Sequence, residues 1–170
     1  GALSPAFSNA NPRYTVTVLH ETTSLTLTPE AAEPNATITV DGANVNSGAA
    51  SQSIALNVGA NAITTVVTAQ DGTTIKTYTV TVTRAPSGNA DLLELTLSDG
   101  TLSPAFDGAT TSYTASVSHA TAALTLTPEA AEPNATIMVD GADVNSGADS
   151  QSVALRVGAN AITTVVTAQD

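Results

Sequence analysis

The chain has 170 residues, with 4 Lys and Arg against 15 Asp and Glu, a formal charge of −11, no cysteine and no tryptophan. Such an acidic balance makes nucleic acid and anionic membrane surfaces poor partners, and zero cysteine excludes a disulfide framework. No stretch approaches the roughly 18 apolar residues of a membrane span, so no membrane insertion is expected within this segment.

Period-two alternation dominates the sequence, and nowhere does the i, i+3, i+4, i+7 spacing of an amphipathic helix appear. The predicted strands are short runs of Val, Ile, Thr, Leu and Tyr between Gly, Asn, Asp and Pro clusters. In chain order they cover 14–18, 24–28, 36–40, 52–56, 62–69 and 75–84. A further one carries Leu93, Leu95 and Leu97 on one face with Glu94 and Thr96 on the other. Tyr14, Val16 and Val18 are assigned to a core, as are Tyr78, Val80 and Val82, while the intervening threonines point to solvent. With only 3% aromatic residues the cores rest on Val, Ile, Leu and Ala, each contributing about 1.5–3 kcal/mol when fully buried, alanine less. The strongest hairpin signal is Asp71-Gly72, because Asp-Gly accepts the positive φ angles of a two-residue turn. It predicts that the strands on either side pair as sequence neighbours.

The chain repeats itself at an offset of 99 residues. Residues 1–71 align with 100–170 without insertion, and 54 of the 71 pairs are identical. A repeat of that length is a whole domain, not a solenoid turn. Residues 72–99 have no second copy; they hold the closing strand of one module, a short Pro-containing linker (Ala85 to Ala90) and the opening strand of the next. The expected fold is therefore all-β: two tandem immunoglobulin-like antiparallel β-sandwich modules, residues 1–86 and 87–170, the first lacking its opening strand and the second its closing strand. Unpaired edges and open cores are unfavourable in isolation. The expectation is that the chain is a window in a longer array, or that adjacent subunits supply the missing strands. The charge divides unevenly, with 5 acids against 3 bases in residues 1–85 and 10 against 1 in residues 86–170.

Several separated landmarks occur in order, twice: Leu-Ser-Pro-Ala-Phe, a tyrosine opening the next strand (Tyr14, Tyr113), Val-Gly-Ala-Asn, then Asp-Gly-Thr-Thr and Tyr-Thr-Val-Thr-Val-Thr-Arg after the first copy. In this the chain resembles the bacterial cadherin-like β-sandwich domain family. The resemblance implies an immunoglobulin-like sandwich found in tandem on large secreted or surface proteins, with no activity of its own. It brings no ligand-binding residues, and the calcium-ligating signatures of true cadherins are missing.

Residue type and spacing single out a few candidate sites. Asp143, Asn145, Gly147 and Asp149 place alternate oxygen ligands near a glycine, as calcium loops do, but the first repeat has Asn44 and Ala50 at two of those positions and no downstream Glu closes the shell. His20 and His119 recur at strand ends without a second histidine or cysteine nearby, so neither suggests a zinc set. Glu30 with Glu33, and Glu129 with Glu132, lie in a proline-bounded Pro-Glu-Ala-Ala-Glu-Pro segment read as a solvated turn, not as a paired-carboxylate acid–base site. Lys76 shares the parity of Tyr78 and Val80; it is read as a snorkelling lysine, with a covalent lysine–asparagine cross-link as the alternative. Asn35-Ala-Thr37 and Asn134-Ala-Thr136 match a glycosylation acceptor. No catalytic, cofactor-binding or metal-binding residue is assigned.

The expected role is that of a rigid spacer in a bacterial surface or extracellular fibre, stalk or adhesin, stacked against neighbouring copies of the same module. The alternative is a carbohydrate- or protein-binding module of a secreted multidomain protein. Sugar platforms on sandwiches display Trp or Tyr, and here the three tyrosines have core parity.

Overall fold

Threonine and valine in alternation stiffen χ1 and suit a pleated surface, and in the computed structural model, which describes residues 2–170, every regular element is a strand. The chain divides into two compact units, Gly1–Pro86 and Ser87–Asp170.

In the first unit the strands are β1 (Arg13–Val18), β2 (Ser24–Leu25), β3 (Thr37–Val40), β4 (Ala43–Val45), β5 (Ile54–Ala55), β6 (Gly59–Thr68) and β7 (Ile75–Arg84). A five-stranded sheet has the order β1-β7-β6-β3-β4, and β2 pairs with β5 in a second sheet. Between them lies a core of Tyr14, Val40, Val45, Leu56, Ile63, Val80 and Val82, against which Leu25 and Ile54 of the smaller sheet pack. β6 and β7 are sequence neighbours in an unbroken antiparallel ladder from Gly59↔Arg84 to Thr68↔Ile75, as the sequence predicts.

Three details differ from expectation. β1 runs parallel to β7, from Arg13↔Thr79 to Val18↔Arg84. Parallel neighbours need a long crossover, and five strands intervene between these two. Secondly, the two-residue turn is not at Asp71-Gly72 but at Asp41-Gly42, with φ of +47° and +82°, joining β3 to the unforeseen three-residue strand β4. Two successive positive φ angles are the type I′ signature. Thirdly, the Asp71 loop spans four residues, closed by the Ala69 amide on the Thr74 carbonyl at 2.9 Å, and of its Asp-Gly pair only Gly72 has positive φ.

Asp71 instead caps the loop. Its carboxylate accepts the amides of Thr73 (2.9 Å) and Thr74 (2.8 Å) and the Thr74 hydroxyl (2.6 Å). Hydrogen bonds from the Thr74 hydroxyl, then from the Thr74 and Thr73 amides, lower its pKa from 3.8 to about 2. A depressed carboxylate adds stability above its unfolded pKa and loses it as pH falls through the folded value. Wild-type hairpin stability is thus expected to decline between about pH 4 and pH 2, and Asp71→Asn to flatten that dependence. A carboxyl titration followed by NMR should find the Asp71 midpoint near 2; a midpoint near 3.8 would contradict the capping role.

The second unit contains β8 (Leu92–Leu97), β9 (Ala123–Leu124), β10 (Leu126–Ala130), β11 (Thr136–Val139), β12 (Ala142–Val144), β13 (Val153–Ala154) and β14 (Thr164–Thr167). They pair as β10-β8, β12-β11-β14 and β13-β9. Leu95, Leu124, Leu126, Val139 and Val144 form the core. The leucine alternation predicted for β8 holds at Leu95 and Leu97 but not at Leu93, which is 62% exposed. The β10–β8 register shifts between Glu129 and Ala130, so that Ala130 faces Leu92. Such a bulge puts an extra residue on one strand and breaks the period-two pattern.

The units differ where their strand complements differ. In the second, Leu126, Pro128 and Ala130 are buried in a strand alongside β8; their counterparts Leu27, Pro29 and Ala31 form no strand and are half-buried. Conversely, β1 and the first half of β6 are ladder strands beside β7. Their counterparts, residues 112–117 and 158–163, carry among the described residues only the isolated Ser103↔Thr114 bridge. Residues 158–163, identical in sequence to 59–64, thus lack regular pairing where no strand lies beside them.

Candidate functional site

Several of the polar positions singled out in the sequence close local structure. Asp143 sits in β12, exposed, opposite Met138, while the Asp149 carboxylate accepts the Thr127 hydroxyl at 2.6 Å. The intervening loop is stitched to β10 by the Gly147 amide on the Pro128 carbonyl (2.8 Å) and the Ala130 amide on the Ser146 hydroxyl (2.9 Å). Asp143 and Asp149 are therefore not brought to a common centre. Among the described residues no group of three or more His, Cys, Asp and Glu is placed to hold a metal ion.

His20 is half-buried, with Nδ1 3.3 Å from the Ala85 carbonyl oxygen. Its own carbonyl accepts Arg84 Nε at 2.7 Å, and the same guanidinium donates to the Leu56 carbonyl at 3.1 Å. This pins the end of β7 to the β1 side of the sheet. His119, in the unit without a counterpart of β7, is exposed. Glu33 and Glu132 accept from the asparagines two residues on, Asn35 and Asn134, within their own loops. That engages the glutamates and both glycosylation-acceptor asparagines in loop closure. Lys76 is exposed, and its Nζ donates to the Asn9 carbonyl at 3.1 Å, beside the Tyr78 hydroxyl at 3.2 Å.

The tyrosines are tethers. Tyr14 is 2% exposed; its hydroxyl accepts the Ser8 amide at 3.0 Å and lies 2.7 Å from the Asn11 carbonyl, and its ring stacks on Phe7 with centroids 5.5 Å apart. Tyr113 repeats the arrangement with the Asp107 amide (3.1 Å) and Phe106 (5.9 Å). At 2% exposure the Tyr14 ring offers no platform to a sugar.

Residue-type scanning missed the asparagine of Val-Gly-Ala-Asn. The Asn61 side chain accepts the Asn57 amide (2.9 Å) and reaches the carbonyls of Asn57 (2.8 Å), Gly59 (3.0 Å) and Val82 (3.2 Å). Asn160 repeats the first three contacts with Arg156 and Gly158 and has no counterpart of the Val82 contact. Its signal was the recurrence of the four-residue motif. Scanning also missed an open cleft of about 1090 Å³ in the second unit, lined by Leu97, Tyr113, Val117, Leu155 and Ile162 among others. It lies where the first unit holds β7 between β1 and β6.

A paired-sheet module whose polar groups, shared between copies, close loops, with a hydroxyl-anchored tyrosine and an asparagine-stapled turn, defines an immunoglobulin-like structural domain. The sequence profile of the cadherin-like beta sandwich domain matches residues 2–85 and again 92–170, and the chain belongs to that family. Over 84 residues, 49% of this chain, it is 38% identical to a protein of Evansella cellulosilytica named "Putative membrane protein". The match spans 12% of that protein's length. No helix among the described residues is long and apolar enough to cross a membrane.

Proposed function

We propose that the chain is part of a bacterial extracellular or cell-surface fibre, stalk or adhesin, in which its modules act as rigid spacers stacked end to end on neighbouring copies. One observation carries this reading: of the 17 positions at which the copies differ, none is buried in either unit. What the copies share is the fully buried core, and what they vary is exposed or half-buried, with Val16/Ala115 and Ile54/Val153 at the margin of the core. Family membership supports a structural module, and the relative named as a membrane protein fits anchoring of such modules at a cell surface. Pro86, in the connection between the copies, restricts bending there.

The test is an array of four modules made by continuing the 99-residue repeat, imaged by electron microscopy. A constant axial repeat with one preferred angle between neighbours is expected. Neighbouring modules with no fixed mutual orientation would overturn the spacer reading.

A further inference from the structure

We propose that the parallel pair of β1 and β7 is a tension-bearing clamp, the element that keeps the first unit closed when its chain is pulled from both sides. The load it meets rests on the array reading above; the resistance itself is a property of this one unit.

Strand direction carries the argument. Because β1 and β7 run parallel, from Arg13↔Thr79 to Val18↔Arg84, the chain arrives at β1 at one end of the pair and leaves β7 at the other. A pull between those two points slides one strand along its neighbour. Main-chain bonds of a parallel ladder are evenly spaced, so such a pull loads the six register pairs together. The antiparallel pair of β6 and β7 is different: Gly59 lies opposite Arg84, and a pull between them would open one pair after another.

Side chains of β7 fasten both ends of the pair to carbonyls on the segments that flank β1. Ahead of β1, Lys76 Nζ (3.1 Å) and the Tyr78 hydroxyl (3.2 Å) both donate to the Asn9 carbonyl. Beyond β1, Arg84 Nε donates to the His20 carbonyl at 2.7 Å. The chain has only 4 Lys and Arg, and two of them hold these two ends. The ladder itself runs on by one main-chain bond at either end, from the Thr79 amide to the Pro12 carbonyl (2.8 Å) and from the Ala85 amide to the Val18 carbonyl (3.0 Å).

A loaded hydrogen bond gives way once water can replace it. Tyr14, Val80 and Val82, at 2%, 7% and 0% exposure, close the inner face of the pair to water. The loop leading into β1 is also held, by the Tyr14 hydroxyl on the Ser8 amide at 3.0 Å. Further upstream the chain touches β1 through the single Ser4↔Thr15 bridge. A pull opens that bridge first, and extension then stops at the ladder.

The full 170-residue chain has no cysteine, so introduced ones give unique handles for single-molecule pulling. Ala6→Cys with Pro86→Cys, both at exposed positions, pulls along the pair. Glu21→Cys with Pro86→Cys, again exposed, places both handles at the Val18/Arg84 end and peels it. Forced unfolding reads the barrier and not the equilibrium stability, and the force along the pair is expected to be about twofold or more above the peeling force at one loading rate. Lys76→Met with Tyr78→Phe should lower the force along the pair and leave the peeling force unchanged, because peeling starts at the far end. Equal forces in the two geometries would overturn the clamp; equal loss in both, or loss in neither, would overturn the fastening given to Lys76 and Tyr78. A regular array by microscopy with equal forces would sink the clamp alone, and unequal forces with randomly oriented modules would sink the spacer reading alone.

Discussion

Ile63→Ala is expected to cost the first unit about 2–5 kcal/mol, the usual range for emptying a fully buried aliphatic site, and Ile162→Ala to cost the second unit less than half as much. The two isoleucines occupy the same place in the repeat, but one is 1% exposed under β7 and the other is half-buried beside an open cleft. The deleted atoms are identical, so the difference reports what covers them. Val40 and Val139, each 0% exposed, are the internal control. Alanine at either should cost about 2 kcal/mol in its own unit. Urea unfolding read from NMR resonances of each unit makes the comparison. Equal losses at Ile63 and Ile162 would mean that β7 does not complete the first core.

Val82→Asp is expected to abolish the native first unit. Val82 is 0% exposed within β7, and an unpaired carboxylate buried there costs more than about 4 kcal/mol. A small domain has only about 5–15 kcal/mol in total. Thr83→Asp, one residue on and exposed, should stay within about 0.5 kcal/mol. The contrast separates loss of the core from added negative charge in an acidic chain. Dispersed first-unit amide resonances should vanish in Val82→Asp and persist in Thr83→Asp; survival of both would contradict the assignment of β7 to the core.

The legible parts of this fold are those with long-range redundancy in sequence. Tyr78, Val80 and Val82 alternate over a ten-residue strand, and the 99-residue offset marks residues 72–99 as the segment present once. What escapes is set by local geometry that alternation cannot encode. Leu93 keeps the parity of Leu95, yet one bulge opposite Glu129 and Ala130 turns it outward. Asp41-Gly42 and Asp71-Gly72 share a dipeptide but not a turn. The first closes a hairpin with two positive φ angles, whereas the second lets Asp71 bond Thr73 and Thr74 ahead of the strand. Parallel pairing of β1 with β7 is a topological fact that neither strand's composition declares.

The candidate sites divide along the same line. Asp143 and Asp149 suggest a ligand loop by spacing, but pairing in β12 separates the first and Thr127 engages the second. Asn61 and the cleft go unnoticed in the sequence because each acts on backbone: one by stapling carbonyls, the other by presenting unpaired edges. Scanning for chemistry-bearing side chains finds neither.

The segments that pair with β7 in the first unit form regular ladders, and the corresponding segments of the second unit do not. Native-state hydrogen exchange on the full chain compares the two copies directly, at residues identical but for Thr39 and Met138. Amides of 59–63 that pair with β7 are expected to be strongly protected and those of 158–162 to exchange at least tenfold faster, while Thr64 and Thr163, each bonded to an aspartate at 2.8 Å, and the segments 37–40 and 136–139 exchange alike. Equal protection of 59–63 and 158–162 would contradict the role given to β7.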